Sequence, residues 1–552
     1  MKSLSKLFLV IIVLSHFVFG QDVQVKKYDS TPPLVPYWAL HPWVWEDSLN
    51  TQEVALRLVN SYKNRNIPVG AIIIDSPWSM SYNDYIWNRK QYPAPRKMID
   101  SLHNMNVKVI VWITGAMNIT GKDVPVQKTP SYDYVIKNGY AVNEGKNSLW
   151  WKGEGVHIDN TNEKAKKWWH RQLDKAFADY NLDGVKADDS PYAFGENVRT
   201  SIGLLTNEEF SISYYHDISK YVKSRNKNGV MLARGYSHQT GAASNVEDVM
   251  VSWSGDCSGS WRGLRLQIQD IYKSARIGYG ALACEIGGYS IKRSNKNEFT
   301  RYAQFGSMCP VMINGGANGA LRNHLPWFHG KDTENTYKYF ATLHNELAPY
   351  IFSNSVDSHL KGGSIVKNTS FKNESHTLGN DIFVKAITSS NNLVMVVFPN
   401  TEDKWLDFWT DKEYNSGEVV TQNYPLDKYP IFIRAGAIIP MNVKNNVTGH
   451  GDENSVNKQT ILIYPNDESE YTFHKPIGGG SEYRDVEIKV NADDEQIEIE
   501  INSDKKDNYI LLVKAAQKPS NVIGADSWEY NSDKNRIKIE KTGKSFSVKI
   551  DN

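Results

Sequence analysis

Short apolar runs that end in polar residues alternate with longer helical stretches between about residues 36 and 350. This alternation is typical of parallel strands joined by crossover helices. Three of the intervening stretches have apolar residues at three- and four-residue spacing and are predicted to be helices: 51–64, 162–180 and 261–276. The predicted strands are 37–41, 70–75, 107–113, 184–188, 229–234, 249–254, 280–285 and 310–314. Eight such strands predict an α/β fold with a closed (β/α)8 barrel, the TIM barrel.

An insertion and a change of pattern divide the rest of the chain. Residues 114–160 are rich in Gly, Lys, Tyr and Trp and follow the third predicted strand, so we interpret them as a wall of a ligand site. Beyond residue 353 the pattern is that of β-sandwich strands, at 364–367, 381–387, 393–398, 431–439, 460–464 and 486–491. Because a polar stretch at 442–458 interrupts them, we predict three domains: a barrel over 21–352, a proximal sandwich over 353–450 and a distal sandwich over 451–552.

The first twenty residues have the pattern of a secretory signal peptide. Lys2 and Lys6 precede an apolar run over 7–19, and the small residue Gly20 lies before Gln21. The run is too short to span a bilayer, and no later segment reaches the roughly 18 continuous apolar residues that a spanning helix needs. We therefore predict a periplasmic or extracellular protein without a membrane anchor.

Composition narrows the classes of partner. The 63 Lys and Arg nearly balance the 62 Asp and Glu, so neither nucleic acid nor a membrane surface is expected as a partner. With only three Cys and no His/Cys cluster along the chain, we predict neither a disulfide framework nor a metal site. The 16 Trp and 30 Tyr suit the apolar faces of sugar rings, although large barrels also use aromatic residues in packing. No pattern predicts an oligomeric state.

Five predicted strands end in, or just before, a charged residue. These residues are Asp75, Asp188, Arg234, Asp256 and Glu285. Each alone could be a solvated loop residue or a helix cap. Barrel enzymes, however, place their reactive groups at the C-terminal ends of the strands, so five such residues predict one shared site.

Two of the aspartates fit the chemistry of glycosidic bond cleavage with retention. That reaction needs an ionised carboxylate as nucleophile and a protonated one about 5 Å away. Lys186 is expected on the same side of its strand as Asp188 and would keep Asp188 ionised. Asp256 lies near Trp253 and Cys257, where partial desolvation would keep it protonated. We therefore predict Asp188 as the nucleophile and Asp256 as the acid/base.

Three segments carry a resemblance to a known family. The segments "GVKADD", "HIDNTNEKAKKWW" and "IFIRAGAIIP" are similar to motifs of glycoside hydrolase family 31, the α-glucosidase, α-xylosidase and α-galactosidase family, and the likeness runs over about residues 36–440. It implies the same two catalytic aspartates. It also implies that Asp75 and Arg234 bind sugar hydroxyls and that Trp112 forms a pocket wall, although Asp75 and Arg234 could also form structural ion pairs.

The chain departs from this family at two points, and the role of one further residue, His324, stays open. In "CEIGGY", Cys284 stands where a substrate-binding His is expected and Glu285 replaces an Asp, so the sugar preference stays open. We still expect Cys284 and Glu285, with Lys186 and Trp253, to be among the substrate-binding residues. His324 in "LRNHLPW" either lines the pocket or caps a loop. Only about fifteen residues separate Gln21 from the first predicted strand, so we expect a more open pocket than in relatives with an N-terminal sandwich.

The predicted activity is removal of a terminal, non-reducing α-linked glucose, xylose or galactose from an oligosaccharide or glycoside, by double displacement and without a cofactor. One alternative is an α-transglycosylase that uses the same aspartates. A second alternative is a catalytically silent carbohydrate-binding relative.

Overall fold

The computed structural model describes residues 30–46, 50–188, 197–289, 294–316 and 324–551. The predicted signal peptide, residues 1–20, lies outside the described residues. No helix among the described residues is long and apolar enough to cross a membrane.

Eight parallel strands close into a barrel in chain order, and this confirms the predicted fold class. They are buried along almost their whole length, as expected of parallel strands covered on both faces. The strands are β1 Trp43–Glu46, β2 Ala71–Ile74, β3 Lys108–Ile113, β4 Gly184–Ala187, β5 Val230–Arg234, β6 Val251–Trp253, β7 Ala281–Ile286 and β8 Val311–Asn314.

The predicted first strand, 37–41, is wrong. Tyr37–Leu40 forms a 3-10 helix after Pro36, and the strand itself begins at Trp43, just beyond Pro42. Both segments are almost wholly apolar and buried, so periodicity could not distinguish them. The correction identifies Glu46 as the last residue of β1.

Helices surround the barrel, and most begin with side-chain caps. Thr51 accepts a hydrogen bond from Val54 N at the start of α1, and Asn162 caps α4. The predicted helix 162–180 is too long, because the chain leaves α4 at Lys175 through turns that end at Asn181, whose φ is 55°. The helices are α1 Gln52–Lys63, α2 Pro95–Asn104, α3 Tyr132–Lys137, α4 Glu163–Asp174, α5 Asn207–Arg225, α6 Trp261–Ile277, α7 Lys296–Ser307 and α8 Lys331–Lys361.

The only helical element between β5 and β6 is a short 3-10 turn, Val246–Asp248. Other 3-10 turns are Asn143–Gly145, Pro326–His329 and Glu453–Ser455.

The insertion after β3 is a small folded unit. Its three antiparallel strands are arranged in the order Ala116–Gly121, Gly153–His157 and Ser148–Trp150, and α3 lies between the first and the last of them in the chain. Two hairpins follow other barrel strands: Asn197–Thr200 with Gly203–Thr206 after β4, and Tyr236–Ser237 with Gly241–Ala242 after β5.

The C-terminal region consists of three sheets. The first has the order Val366–Ser370, Ser375–Leu378, Ile382–Lys385, Ile431–Arg434, Trp405–Asp407 and Glu413–Tyr414, and beside it Leu393–Val397 pairs with Val419–Asn423. The largest contains Ile438–Met441, Gln459–Ile463, Gln496–Lys514, Tyr483–Ala492, Glu468–Pro476, Arg536–Asp551, Asn521–Ile523 and Ser527–Asn531.

The predicted strand 431–439 is in fact two strands that belong to different sheets. The chain turns between them at Gly436, whose φ is 85°. The largest sheet encloses its own apolar cluster, whereas the barrel and the first sheet share another. The proposed limits of the domains differ from these elements, since α8 continues past residue 353 and Ile438–Met441 already belongs to the largest sheet.

Candidate active site

A cavity of about 460 Å³ opens at the C-terminal ends of the barrel strands. Of the charged strand-end residues, Asp75, Asp188, Arg234 and Asp256 line it and Glu285 does not. The complete described lining is Asp75, Ser76, Trp112, Trp151, Lys152, Lys186, Asp188, Arg234, Gln239, Asp256 and Tyr289. The structure thus brings both proposed catalytic aspartates to one cavity.

Asp188 directly follows β4, where its backbone N–H donates to Ile113 O of β3 at 2.9 Å. The indole N–H of Trp112 donates to its Oδ2 at 3.0 Å, and a guanidinium N–H of Arg234 donates to its Oδ1 at 3.2 Å. The Asp188 side chain is 13% exposed. Each carboxylate oxygen is therefore oriented by a separate donor while the side chain remains open to the cavity.

Lys186 forms its ion pair with a different aspartate from the one expected. Its Nζ lies 2.9 Å from Asp75 Oδ2, and both side chains are buried. The ammonium also lies over the rings of Trp45 (3.9 Å) and Trp253 (5.3 Å). The direct cationic partner of Asp188 is Arg234, not Lys186.

The surroundings of Lys186 keep it charged. Burial by itself would lower the pKa of its ammonium, but the carboxylates of Asp75, Glu285 and Asp188 outweigh burial and raise that pKa. A permanent cation therefore lies at the base of the cavity.

Asp256 follows β6 after Gly255, whose φ is 83°. A Cβ at position 255 would lie 2.2 Å from Arg234 Nη1, so the guanidinium can occupy its position only because this residue is glycine. Burial raises the pKa of Asp256; Arg234 and Lys186 oppose this shift, and Asp188 adds to it. Asp256 and Asp188 thus differ in their immediate contacts: Asp188 accepts directly from Arg234, whereas burial dominates the surroundings of Asp256.

Gln239 connects the two sides of the site. Its Oε1 accepts a hydrogen bond from Arg234 Nη1 at 3.2 Å, and its Nε2 donates to the backbone oxygen of Asp256 at 3.4 Å. Sequence reasoning missed Gln239, because it lies in the hairpin after β5 and no periodic pattern marks it.

Glu285 and Trp253 lie behind the cavity wall rather than on it. Glu285 is 2% exposed, and burial raises its pKa to about 8 against the opposing effect of Lys186. Trp253 is 1% exposed, and the guanidinium of Arg234 lies over its ring at 4.6 Å. Both are therefore placed to position Lys186 and Arg234 rather than to contact a ligand directly.

The predicted substrate contact at Cys284 is not supported by its position. Neighbouring side chains of a strand face opposite ways, and Cys284 faces outward, where its Sγ donates to Gln267 Oε1 of α6 at 2.8 Å. His324 is 1% exposed and does not line the described cavity; its Nε2 lies 3.5 Å from Glu46 Oε2. Burial lowers the pKa of His324 to about 4, so its imidazole is neutral at ordinary pH.

All three cysteines are buried and unbridged. Although no His/Cys cluster occurs along the chain, the fold brings ligand atoms of His238, Cys257 and Asp270 within 4.8 Å of one another. His238 Nδ1 is 2.6 Å from Asp270 Oδ2, so these two side chains already satisfy each other by a hydrogen bond.

The match to family models decides the classification. The model of the glycosyl hydrolases family 31 TIM-barrel domain matches residues 32–354, more than half of the chain. The chain belongs to glycosyl hydrolase family 31. The model of the glycosyl hydrolase family 31 C-terminal domain matches residues 366–439 of this family 31 chain.

Characterised relatives differ in activity. The chain is 23% identical to an isomaltosyltransferase of Sporosarcina globispora, over 84% of this chain and 47% of that protein. It is 22% identical to an α-glucosidase of Saccharolobus solfataricus, over 95% of this chain and 75% of that protein, and 23% identical to an α-xylosidase of the same organism, over 78% and 60%. The family 31 chain thus spans between about half and three quarters of these relatives.

Solved structures agree on the fold. The family 31 dextranase of Flavobacterium johnsoniae in complex with glucose aligns with a TM-score of 0.82 at 20% identity, over 95% of this chain and 71% of that one. The cycloalternan-forming enzyme of Listeria monocytogenes aligns with a TM-score of 0.83 at 19% identity, over 94% and 55%. At this identity the likeness establishes the fold of the family 31 chain.

Proposed function

We propose that this family 31 chain is a retaining α-glycosidase that removes a terminal, non-reducing α-linked sugar from an oligosaccharide or glycoside. One observation carries the proposal: Asp188 and Asp256 line the same cavity, where Asp188 accepts a hydrogen bond from the Arg234 guanidinium and burial raises the pKa of Asp256. Pairs of carboxyl groups whose environments differ in this way are the usual basis of acid and nucleophile roles in one site.

In the first step, Asp188 attacks the anomeric carbon while Asp256 gives its proton to the glycosidic oxygen. The bond between the anomeric carbon and that oxygen breaks, the leaving group departs as an alcohol, and a glycosyl ester forms on Asp188. The donors Trp112 and Arg234 hold the Asp188 carboxylate in place for this attack.

In the second step, Asp256, now ionised, takes a proton from water. The resulting hydroxyl attacks the anomeric carbon, the ester bond to Asp188 breaks, and the sugar leaves with the configuration it had in the substrate. No cofactor takes part in this scheme.

Recognition of the sugar is assigned to the ion-paired residues of the cavity. Asp75 accepts from Lys186 at 2.9 Å and from Ser76 N at 2.7 Å, which fixes its carboxylate for hydroxyl binding. Arg234 presents a planar guanidinium beside Asp188. Export through the N-terminal segment 1–20 remains part of the proposal, as does the absence of a nucleic-acid partner.

A screen of paired anomers tests the function. We expect hydrolysis of at least one aryl glycoside among the α-glucoside, α-xyloside and α-galactoside, and none of the matching β-anomers, because the nucleophile reaches the anomeric carbon from one face only. Release of the aryl alcohol is measured for each pair. Hydrolysis of the β-anomers alone, or of none of the six substrates, would contradict the proposal.

Transglycosylation is the second candidate, and the similarity to an isomaltosyltransferase favours keeping it. In that reaction a sugar hydroxyl replaces water in the second step and the same two aspartates act. Chromatography of the products formed with excess free sugar distinguishes the two outcomes, since transfer yields a product one sugar unit larger than the added sugar, whereas hydrolysis leaves the added sugar unchanged.

A further inference from the structure

Three side chains that the proposed mechanism does not use meet beside the cavity. They are His238 in the turn of the hairpin after β5, Cys257 in the loop after β6, and Asp270 on α6. One ligand atom of each lies within 4.8 Å of the other two. Imidazole, thiolate and carboxylate are the side-chain groups that bind zinc in proteins. The fold thus brings one of each together from three separate elements.

The Cys257 thiol is buried and forms no hydrogen bond among the described residues. The other two cysteines differ from it in this respect. Cys284 Sγ donates to Gln267 Oε1, and Cys309 Sγ donates to the backbone oxygen of Phe305. A soft ligand atom is therefore left beside the imidazole and the carboxylate without a partner of its own.

Access and charge fit a small divalent cation. The His238 side chain is 30% exposed and that of Asp270 is 1% exposed, so an ion reaches the cluster past the imidazole. Cys257 is 2% exposed, which excludes it as a nucleophile for a bulky substrate. A neutral imidazole, a thiolate and a carboxylate together carry two negative charges, which a divalent cation balances in this buried place.

The spacing of the cluster needs only small movements to close on a metal ion. Bonds of about 2.0 to 2.3 Å place the ligand atoms of a tetrahedral zinc site roughly 3.3 to 3.6 Å apart. Separations of up to 4.8 Å therefore have to close by no more than about 1.5 Å. The hydrogen bond between His238 Nδ1 and Asp270 Oδ2, at 2.6 Å, holds two of the side chains in place before an ion arrives.

The sequence neighbours of two of these residues belong to the candidate active site. Gln239 follows His238, and Asp256 precedes Cys257; both neighbours line the cavity. Gln239 Nε2 donates to the backbone oxygen of Asp256, and its Oε1 accepts from Arg234. An ion that draws His238 and Cys257 together therefore moves the two segments that carry Gln239 and the proposed acid/base.

We propose that His238, Cys257 and Asp270 form an inhibitory site for a thiophilic divalent cation such as Zn²⁺. The thiol proton passes to solvent, and the ion binds the thiolate, the imidazole, the carboxylate and one water. Its binding shifts Asp256 away from the glycosidic oxygen. The inhibition rests on the proposed glycosidase function, whereas binding of the ion does not. The prediction of no metal site missed this cluster because its members come together only in the fold.

Cobalt binding tests the site without any substrate. The full chain is freed of metal with a chelator and titrated with Co²⁺, whose bond to a thiolate gives an absorption band that oxygen and nitrogen ligands do not give. We expect the band at equimolar Co²⁺ in the wild type, and its displacement by Zn²⁺. Cys257→Ser, which keeps the other two thiols, should lose the band. Absence of the band from the wild type, or its persistence in Cys257→Ser, would overturn the site.

His238→Ala is the second variant, and it covers the case in which a buried serine at position 257 prevents folding. The substitution lies in a partly exposed turn, so the chain should fold. Loss of one ligand should weaken Co²⁺ binding on the order of 100-fold. Unchanged Co²⁺ affinity in His238→Ala would also overturn the site.

Inhibition is measured with the best aryl α-glycoside in the presence and absence of Zn²⁺. Saturating Zn²⁺ should lower the wild-type rate on the order of 10- to 100-fold, because a displacement of about 1 Å at a catalytic group has an effect of this size. A chelator should restore the rate. In Cys257→Ser and His238→Ala the ratio of the two rates should be close to one, whatever the basal activity of each variant.

His216→Ala is the matched control. His216 lies with Glu247 and Asp248 in a second cluster among the described residues, which contains no thiol. This variant should be inhibited like the wild type. Loss of inhibition in His216→Ala alone, or a cobalt–thiolate band without inhibition by Zn²⁺, would overturn the inhibitory site. A wild-type chain inactive without Zn²⁺ would overturn the glycosidase function instead, and the cobalt titration would still decide whether the ion binds.

Discussion

The Asp188→Ala variant is expected to lose α-glycoside hydrolysis by on the order of 10⁴-fold or more, because it lacks the carboxylate that forms the glycosyl ester in the proposed scheme. Initial rates with the best aryl α-glycoside measure the loss. Asp188→Asn should be equally inactive, since an amide of the same shape keeps only one of the two acceptor contacts, to Trp112 or to Arg234, and is a poor nucleophile. Added azide should restore release of the aryl alcohol by attacking from the vacated face.

The controls for this variant separate chemistry from folding. Asp188 is a partly exposed residue at the cavity wall, so circular dichroism of both variants should match the wild type. Asp133→Ala is the matched substitution, because Asp133 is 77% exposed in the insertion and pairs only with Lys128 in the described contacts; it should keep full activity. Substantial turnover by well-folded Asp188→Ala would refute the nucleophile assignment.

The Asp256→Ala variant is expected to lose most activity on substrates whose leaving group must be protonated as it departs. For a disaccharide, whose leaving alcohol must be protonated, kcat/KM should fall on the order of 10²- to 10⁴-fold, whereas an α-glycosyl fluoride of the same sugar should retain most of its kcat/KM. The ratio of the two losses is the measurement. Equal losses for both substrates would contradict an acid role for Asp256.

The pH dependence of disaccharide hydrolysis follows from the protonation state of Asp256. Asp256 must carry its proton for the first step, and burial raises its pKa, so disaccharide hydrolysis should decline only as the pH rises through that raised value. The same decline should be much weaker in the wild-type kcat/KM for the α-glycosyl fluoride, whose leaving group departs without that proton.

The barrel was predictable from sequence because its strands are buried on both faces and therefore form apolar runs. Several of these runs end at or are followed by a charged residue. The run before Asp75 and the run before Asp188 are examples, since an apolar stretch interrupted by a carboxylate marks both a strand and its catalytic end. The first strand could not be located in this way. The apolar 3-10 helix Tyr37–Leu40 and the apolar strand Trp43–Glu46 have no periodic pattern that distinguishes them.

The candidate site was predictable only where it comes from strands. Gln239, Trp151 and Tyr289 lie in loops or the insertion, where tertiary contacts decide which side chain faces the cavity. Cys284 was assigned by analogy to a position in the family motif, whereas strand alternation directs it to Gln267 on the outer side of β7. Partners also depend on tertiary structure, as the pairing of Lys186 with Asp75 instead of Asp188 illustrates.

The most direct test of the account is the anomeric configuration of the first product. Proton NMR spectra recorded within the first minutes of hydrolysis, before mutarotation, distinguish the α- from the β-anomer of the released sugar. Double displacement through Asp188 and Asp256 predicts that the α-anomer appears first and the β-anomer grows in afterwards. Initial formation of the β-anomer would contradict a covalent intermediate on Asp188 and, with it, the proposed mechanism.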